Sequence, residues 1–202
     1  GAPGVGKTEL AKAASAFLVA PLIRLQCYEG LDESRALYEW KYGKQLLYTQ
    51  LLRDKLGSML ADTDSLDASM ARLGDLGEAF YSDTFLEPRP LLQALRSDEP
   101  AVLLIDEIDK ADQEFEAFLL ELLSDFQISI PELGTVRAKH QPLVLLTSND
   151  QRELSDALKR RCLHLYIPYP APELESQIVS ARVPELDGQL RDQLVAFIQY
   201  LR

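Results

Sequence analysis

Apolar residues recur along the chain at two spacings, one typical of amphipathic helices and one typical of buried strands. The helical spacing occurs in KTELAKAASAFL, over about residues 7–18, and in DQEFEAFLLELLSDF, for which Asp112 is the expected N-cap. Continuous apolar runs predict strands in the segments PLIRLQC, AVLLIDEID, PLVLLTSND and CLHLYIPY. Strands that alternate with helices indicate a parallel α/β sheet.

Other segments have less regular patterns. The stretch YEWKYG contains a glycine and alternates aromatic and charged residues, which favours a short hairpin or loop within a helix that begins near Asp32. QISIPELGTVRAKH predicts a β-hairpin around Pro131–Gly134. Over about 61–83 the pattern is weak, and we expect a helix and a mobile loop. RPLLQALRS and RELSDALKRR each predict a short helix.

After Pro168 the pattern becomes purely helical. We expect helices over about 172–182 and about 187–202, separated by VPELDG. This change of pattern predicts a domain boundary near residue 168.

The composition is that of an ordinary globular chain. Of the 202 residues, 47% are hydrophobic and 26% are charged, and the length fits one domain or one and part of a second. The net charge of −11 disfavours broad binding to nucleic acid. No run of eighteen apolar residues occurs, so we expect no transmembrane helix. Cys27 and Cys162 lie far apart in apolar segments, which is typical of reduced thiols in a cytoplasmic protein.

The first residues contain the complete phosphate-binding pattern G-x-x-x-x-G-K-T. Its glycines allow backbone N–H groups to point at phosphate oxygens, and the helix that follows adds its positive N-terminus. Lys7 is expected to reach the β- and γ-phosphates, and Thr8 to ligate Mg²⁺. The alternative is a glycine turn before a surface helix. The predicted nucleotide-binding residues are Gly1, Ala2, Pro3, Gly4, Val5, Gly6, Lys7, Thr8 and Glu9.

Two carboxylates end the strand predicted in AVLLIDEID. In phosphoryl-transfer sites an Asp at a strand end holds the Mg²⁺ shell, here Asp106, and a neighbouring Glu can polarise the attacking water, here Glu107. Many strands end in carboxylates, so this motif alone is weak evidence for a phosphoryl-transfer site. Together with the phosphate loop it becomes strong evidence, because the two motifs must meet at one sheet edge. Asp109 and Lys110 are interpreted as surface or helix-start residues.

Two further polar signals follow. Asn149 ends the strand of LLTSN, where it would lie beside the γ-phosphate and help to place the water; the alternative is a helix N-cap or turn residue. Arg160 and Arg161 end a helix, and one of them is expected to be an arginine finger offered to a neighbouring subunit. The alternative for this pair is a favourable interaction with the helix dipole.

The order of these motifs resembles that of AAA+ ATPases, and the finer pattern resembles the MoxR branch and its carbon monoxide dehydrogenase maturation group. The resemblance is carried by CYEGLDESRALYEWKYGKQLL, LLIDEIDKADQEFEAFLLELLSDFQISIPELGTVRA and LTSNDQRELSDALKRRCLHLYIPYP. It implies a P-loop NTPase fold, a three-layer αβα parallel sheet with strand order 5-1-4-3-2. It also implies ATP and Mg²⁺ as cofactors.

The resemblance also implies a domain organisation. The nucleotide-binding core would span residues 1–167, with a helix-two insert at about 36–46 and a hairpin at about 126–138, and a helical lid would begin at 168 and continue to 202. We expect the sequence to be the interior of a longer protein, without the family's first strand and with a truncated lid. That strand would pair with both CLHLYIPY and PLVLLTSND.

The function expected from these signals is ATP hydrolysis coupled to remodelling of a protein client. Relatives in the MoxR branch form homo-oligomers, expected here as a hexameric ring, and often act beside a partner with a von Willebrand A domain. Their clients include metalloenzymes that receive a cofactor. One alternative is a nucleic-acid-dependent motor or loader, which the acidic composition opposes. Another is a scaffold that binds nucleotide without hydrolysing it, which the intact pair Asp106–Glu107 opposes.

Overall fold

The secondary structure follows most of the alternation of strands and helices that the sequence predicts. The computed structural model describes residues 1–61, 80–131 and 133–201. The elements in chain order are α1 (Lys7–Leu18), β1 (Leu22–Gln26), α2 (Glu33–Leu37), β2 (Tyr38–Trp40), α3 (Tyr42–Ala61), β3 (Leu86–Pro88), α4 (Pro90–Arg96), β4 (Val102–Asp106), α5 (Gln113–Asp125), β5 (Gln127–Ile130), β6 (Gly134–Arg137), β7 (Leu143–Leu146), α6 (Asp156–Arg161), α7 (Pro172–Arg182) and α8 (Gly188–Leu201). Short 3₁₀ turns lie at Asp83–Phe85 and Ile108–Lys110.

The chain forms two compact units. The larger unit is Thr8–Leu163, and the other combines Gly1–Lys7 with His164–Arg202. In the second unit α7 and α8 occupy the two helical segments expected after residue 168, and they are joined by hydrogen bonds from Arg191 to Ser180 and from Gln199 to Glu175. Within the described ranges, every helix is too short or too polar to cross a membrane.

The larger unit contains a parallel sheet of three strands in the order β1-β4-β7. Gln26 pairs with Asp106 and Ile105 pairs with Leu146, so the carboxyl ends of the strands lie at one edge. Every residue of the middle strand β4 is buried, as its continuous apolar run predicts. The predicted parallel α/β fold is therefore confirmed.

The strand predicted in CLHLYIPY is wrong for the described residues. Residues 163–170 belong to no strand, and the side chains of Leu163 and Leu165 are largely exposed. An apolar run forms a strand only where its backbone N–H and C=O groups have a neighbouring ladder. In the part of the chain that the structure describes, β7 pairs with β4 alone, so this ladder is not formed.

The interruption predicted at YEWKYG is present, although it is not a local hairpin. Strand β2 separates α2 from α3 and pairs antiparallel with β3, far along the chain. Trp40 packs edge-to-face against Tyr38 and Tyr81, with ring centroids 5.7 and 5.2 Å away. The helix and loop expected over about 61–83 fall mostly on residues 62–79, which lie outside the described residues.

The hairpin predicted around Pro131–Gly134 is confirmed. Strands β5 and β6 pair antiparallel, and Gly134 has a φ of +77°, a left-handed backbone that glycine adopts at little cost. The hydrogen bond from the Ala138 N–H to the Phe126 C=O, 2.8 Å long, continues the pairing past the last register pair.

We predict that Leu103→Ala lowers the free energy of unfolding of the full chain by about 2–4 kcal/mol, because Leu103 is 1% exposed and its loss leaves a cavity. Leu143→Ala on the edge strand is the matched control. Leu143 is 45% exposed, so its truncation should cost under about 1 kcal/mol. Urea titrations measure both values, and equal losses would contradict the assigned burial of β4.

Candidate functional site

The glycine-rich loop at Gly1–Lys7 curls around its own lysine. Gly4 and Gly6 have φ values of +80° and +95°, which only glycine adopts without strain. The Lys7 Nζ donates to the carbonyl oxygens of Gly1 and Ala2, 2.5 and 2.9 Å away. The loop backbone and the ammonium group are therefore held together by local contacts.

The hydroxyl of Thr8, at the start of α1, lies at the end of β4. Its Oγ1 is 3.4 and 3.3 Å from the two carboxylate oxygens of Asp106. Glu9 is also on α1 but forms an exposed ion pair with Lys12, 2.7 Å long. Thr8 thus joins the candidate site, whereas the Glu9 carboxylate is engaged on the helix surface.

Asp106 is only 3% exposed and accepts hydrogen bonds from three sides. Arg24 donates through Nε and Nη2, at 3.1 and 2.6 Å, and Thr147 donates through its hydroxyl. Burial by itself would raise the pKa of Asp106, but the hydrogen bonds from Thr147, Arg24 and Thr8 and the charge of Arg24 lower it below its usual value. The carboxylate is therefore ionised in the folded protein at neutral pH.

Glu107 lies next to Asp106 in a left-handed backbone conformation, with a φ of 57°. Gln26 Nε2 donates to its Oε2 at 2.8 Å, Asn149 Nδ2 donates to its Oε1 at 3.3 Å, and Lys110 Nζ lies 2.5 Å from its Oε2. The hydrogen bond that Lys110 donates to Glu107, together with the negative charge of Glu107, raises the pKa of Lys110. The structure thus brings Glu107 and Asn149 together, as the sequence analysis expects.

Two residues tie the end of β4 to the end of β7. Thr147 accepts two hydrogen bonds from the turn after β4. Its hydroxyl accepts from the N–H of Glu107 at 3.0 Å, and its backbone C=O accepts from the N–H of Ile108 at 2.9 Å. In the opposite direction, Asp109 Oδ2 accepts from the N–H groups of Asn149 and Gln151, at 3.2 and 3.0 Å. Asp109 lies within the 3₁₀ turn Ile108–Lys110 and is buried, so its interpretation as a surface residue is wrong.

A buried ion pair extends this connection to α6. Glu116 on α5 is 1% exposed; one of its oxygens pairs with Arg152, and the other accepts from the Ser155 N–H at 2.8 Å. Ser155 is the N-cap of α6. Burial would raise the pKa of Glu116, but the hydrogen bonds from Ser155 and Arg152 lower it.

The two arginines expected to serve as a finger differ in their surroundings. Arg161 Nη1 donates to the Leu120 C=O and to the Ser124 hydroxyl, at 3.0 and 2.6 Å, which fastens the end of α6 to α5. The Arg160 side chain is exposed, and no such contact is recorded for it among the described residues. That one of the two acts on a neighbouring subunit stays a prediction.

Sequence reasoning missed Arg24, Gln26, Thr147 and the buried role of Asp109. A signal for the first two was present, because residues two apart on a strand point to the same face. Arg24 and Gln26 therefore share the face that meets Asp106 and Glu107 at the sheet edge. The two polar residues inside the otherwise apolar run LIRLQC are the sequence feature that could have identified Arg24 and Gln26 as parts of the site.

Residues 1–162 match the family model described as an AAA domain of the dynein-related subfamily. No curated protein matches the chain. The matched segment includes the glycine loop, the carboxylates at the end of β4, Asn149 and both arginines of α6.

Glu116 should make the folded protein sensitive to acid. Because its folded-state pKa is lowered, its ionised form stabilises the fold above the unfolded-state pKa, and this contribution is lost as the pH falls through the folded-state pKa. Glu116→Gln should cost roughly 2–3 kcal/mol at pH 7, since it leaves Arg152 without its charged partner. Between pH 6 and pH 3 the variant should then lose less stability than the parent.

Urea titrations across this pH range measure the effect. Glu121→Gln, an exposed position on the same helix, is the matched control and should keep the parent's pH dependence. A parent and a Glu116→Gln variant with parallel pH curves would contradict the assigned ionisation.

The thiol of Cys27 should be inert in the folded protein. Burial, with the negative charges of Asp106, Asp109 and Glu107, raises its pKa to about 12. Its thiolate fraction at pH 8 is then on the order of a thousandfold below that of an ordinary thiol. We expect a disulfide reagent to label Cys27 only after unfolding. The Cys27→Ala variant should therefore lack the thiol that reacts only in the unfolded chain. Rapid labelling of Cys27 in the folded chain would contradict its burial.

Proposed function

The chain belongs to the AAA-domain family, in its dynein-related subfamily, and we propose that it is an ATPase of the MoxR branch that remodels a protein client. Membership of the family implies ATP binding and hydrolysis. The finer proposal adds the chaperone role and a client that is a metalloenzyme undergoing maturation or cofactor insertion. It rests on the sequence resemblance together with the contacts of the site.

Each unit contains residues of the types that a nucleotide and Mg²⁺ require: the glycine loop with Lys7 in one, and Thr8 with Asp106 in the other. The backbone of Gly4 and Gly6 forms the turn that a phosphate requires, and Lys7 supplies the charge. Within the described residues, no cluster of three His, Cys, Asp or Glu side chains could hold a metal ion alone. A Mg²⁺ ion bound directly by the Thr8 hydroxyl, with Asp106 in its outer shell, would take phosphate oxygens and water as its other ligands. When bound, it neutralises charge on the phosphates.

Glu107 is the proposed general base. Its carboxylate would accept a proton from a water molecule, and Asn149 is the residue proposed to orient that water. The contact between the Asn149 amide and the same carboxylate supports this role. The other bonds to Glu107, from Gln26 and Lys110, hold the side chain at the edge of the sheet. The observation that carries the proposal is the meeting of Thr8, Asp106, Glu107 and Asn149, from three separate segments, at this edge.

The complete site is proposed to need a second subunit. Arg160 or Arg161 would reach the phosphates bound by a neighbouring copy, so the active form would be a homo-oligomer, with a hexameric ring as the expected state. Arginine fingers in other phosphoryl-transfer enzymes raise turnover by orders of magnitude. The segment around β2 and the β5–β6 hairpin are the proposed contacts with the client. A von Willebrand A domain protein is the proposed partner, and the proposed compartment is the cytoplasm.

We predict that Glu107→Gln lowers ATP turnover by about a hundredfold or more while ATP binding stays within twofold of the parent, because only the proton acceptor is removed. Phosphate release measures turnover, and a fluorescent ATP analogue measures binding. Glu114→Gln, an exposed position in the first turn of α5, should keep parental turnover. Parental turnover in Glu107→Gln would reject Glu107 as the base.

A further inference from the structure

Asp109 occupies an unusual place for a charged residue. Its side chain is 4% exposed, and its Oδ2 accepts both N–H groups that flank Asp150 in the loop after β7. Burying a carboxylate is costly unless it makes compensating hydrogen bonds. One of these bonds comes from the backbone of Asn149, whose amide faces Glu107, and the other from Gln151 in the same loop, so the compensating hydrogen bonds lie at the candidate site.

The loop that Asp109 holds has a strained backbone. Asp150 has a φ of +59°, a left-handed conformation that residues other than glycine adopt at some cost and that persists where the surroundings impose it. Its N–H donates to the Ser148 hydroxyl at 3.0 Å. Asp109 binds the N–H groups immediately before and after Asp150, and therefore fixes both ends of the strained turn.

The opposite turn is held in the same manner. Glu107 is also left-handed, and Thr147 fixes it through the N–H groups of Glu107 and Ile108. The two turns thus hold each other, Thr147 acting on the turn after β4 and Asp109 acting on the turn after β7. Held in this way, the two turns bring the Asn149 amide within 3.3 Å of the Glu107 carboxylate.

The two oxygens of the Asp109 carboxylate differ in their contacts. Oδ2 accepts from the N–H groups of Asn149 and Gln151, whereas Oδ1 is buried and has no hydrogen-bond partner among the described residues. The hydrogen bonds of the Asp109 side chain in the described residues therefore all go to the turn that carries Asn149.

We propose that Asp109 is a positioning residue for ATP hydrolysis: by binding the N–H groups of Asn149 and Gln151, it sets the Asn149 amide against Glu107. This inference rests on the proposed function. The Asp109 side chain is buried, and the oxygen that it uses accepts from the backbone of the turn, so we assign it a positioning role and no chemical step of its own. Its loss should therefore slow the chemical step and leave nucleotide binding in place.

The test is a double-mutant cycle on the full chain, with Asp109→Asn, Asn149→Ala and both changes together. Asp109→Asn keeps the shape of the side chain but accepts N–H groups more weakly. We expect it to lower kcat by about tenfold, with KM and the dissociation constant for ATP within about twofold of the parent. In the Asn149→Ala background the same change should alter kcat by less than about twofold, because its target is already absent.

Asp112→Asn is the matched control. Asp112 is the nearby N-cap of α5 and accepts from the Phe115 N–H at 2.8 Å, a role that asparagine fills equally well. It should keep parental kcat. Thermal unfolding of every variant verifies that the protein is folded, and Asp109→Ser is the second variant if Asp109→Asn fails to fold.

The outcomes separate the two proposals. If the parent hydrolyses ATP and the losses from Asp109→Asn and Asn149→Ala multiply independently, the positioning role is overturned and the proposed function stands. A rise in KM with unchanged kcat in Asp109→Asn would also overturn the positioning role. If the assembled parent binds ATP and releases no phosphate, the proposed function fails, and the positioning role for hydrolysis fails with it.

Discussion

The hydrogen bonds that join the turn after β4 to the turn after β7 are the constraint on which the candidate site depends. Parallel strands bring their carboxyl ends to one edge, but ladder bonds stop where the strands stop. Beyond that point Thr147 and Asp109 take over the role of the ladder, each accepting backbone N–H groups from the other turn. The side chains of Glu107 and Asn149 meet because these two residues hold the turns in register.

The same edge concentrates negative charge, and the neighbouring elements balance it. Asp106, Glu107 and Asp109 lie within four positions of one another along the chain, and all three contribute to the raised pKa of Cys27. Arg24 on β1 pairs with Asp106, and Lys110 pairs with Glu107. Asp106 and Asp109 are buried, and buried carboxylates are tolerated only when cations or N–H groups compensate them; Arg24 supplies the cation to Asp106, and backbone N–H groups compensate Asp109.

The part of the site that could be predicted from the sequence is the part carried by strand ends. A buried apolar run followed by a polar residue places that residue at the sheet edge, and this pattern predicts that Asp106, Glu107 and Asn149 lie together. The partners that orient them were harder to predict. Asp109 looks like an ordinary turn residue, because its burial depends on Asn149 and Gln151, some forty positions later. Likewise, β2 pairs with a distant strand that no local pattern reveals.

The segment that begins with Asp109 and ends with Glu116 links the sheet edge to α6. Asp109 holds the start of the loop after β7, and Glu116 holds its end, at Arg152 and the N-cap Ser155. Arg161 then fastens the far end of α6 to α5. The amide that faces Glu107 and the helix that carries Arg160 are thus attached to one continuous stretch of chain. Both carboxylates that make these attachments are buried, and a hydrogen bond shielded from water is electrostatically stronger than an exposed one.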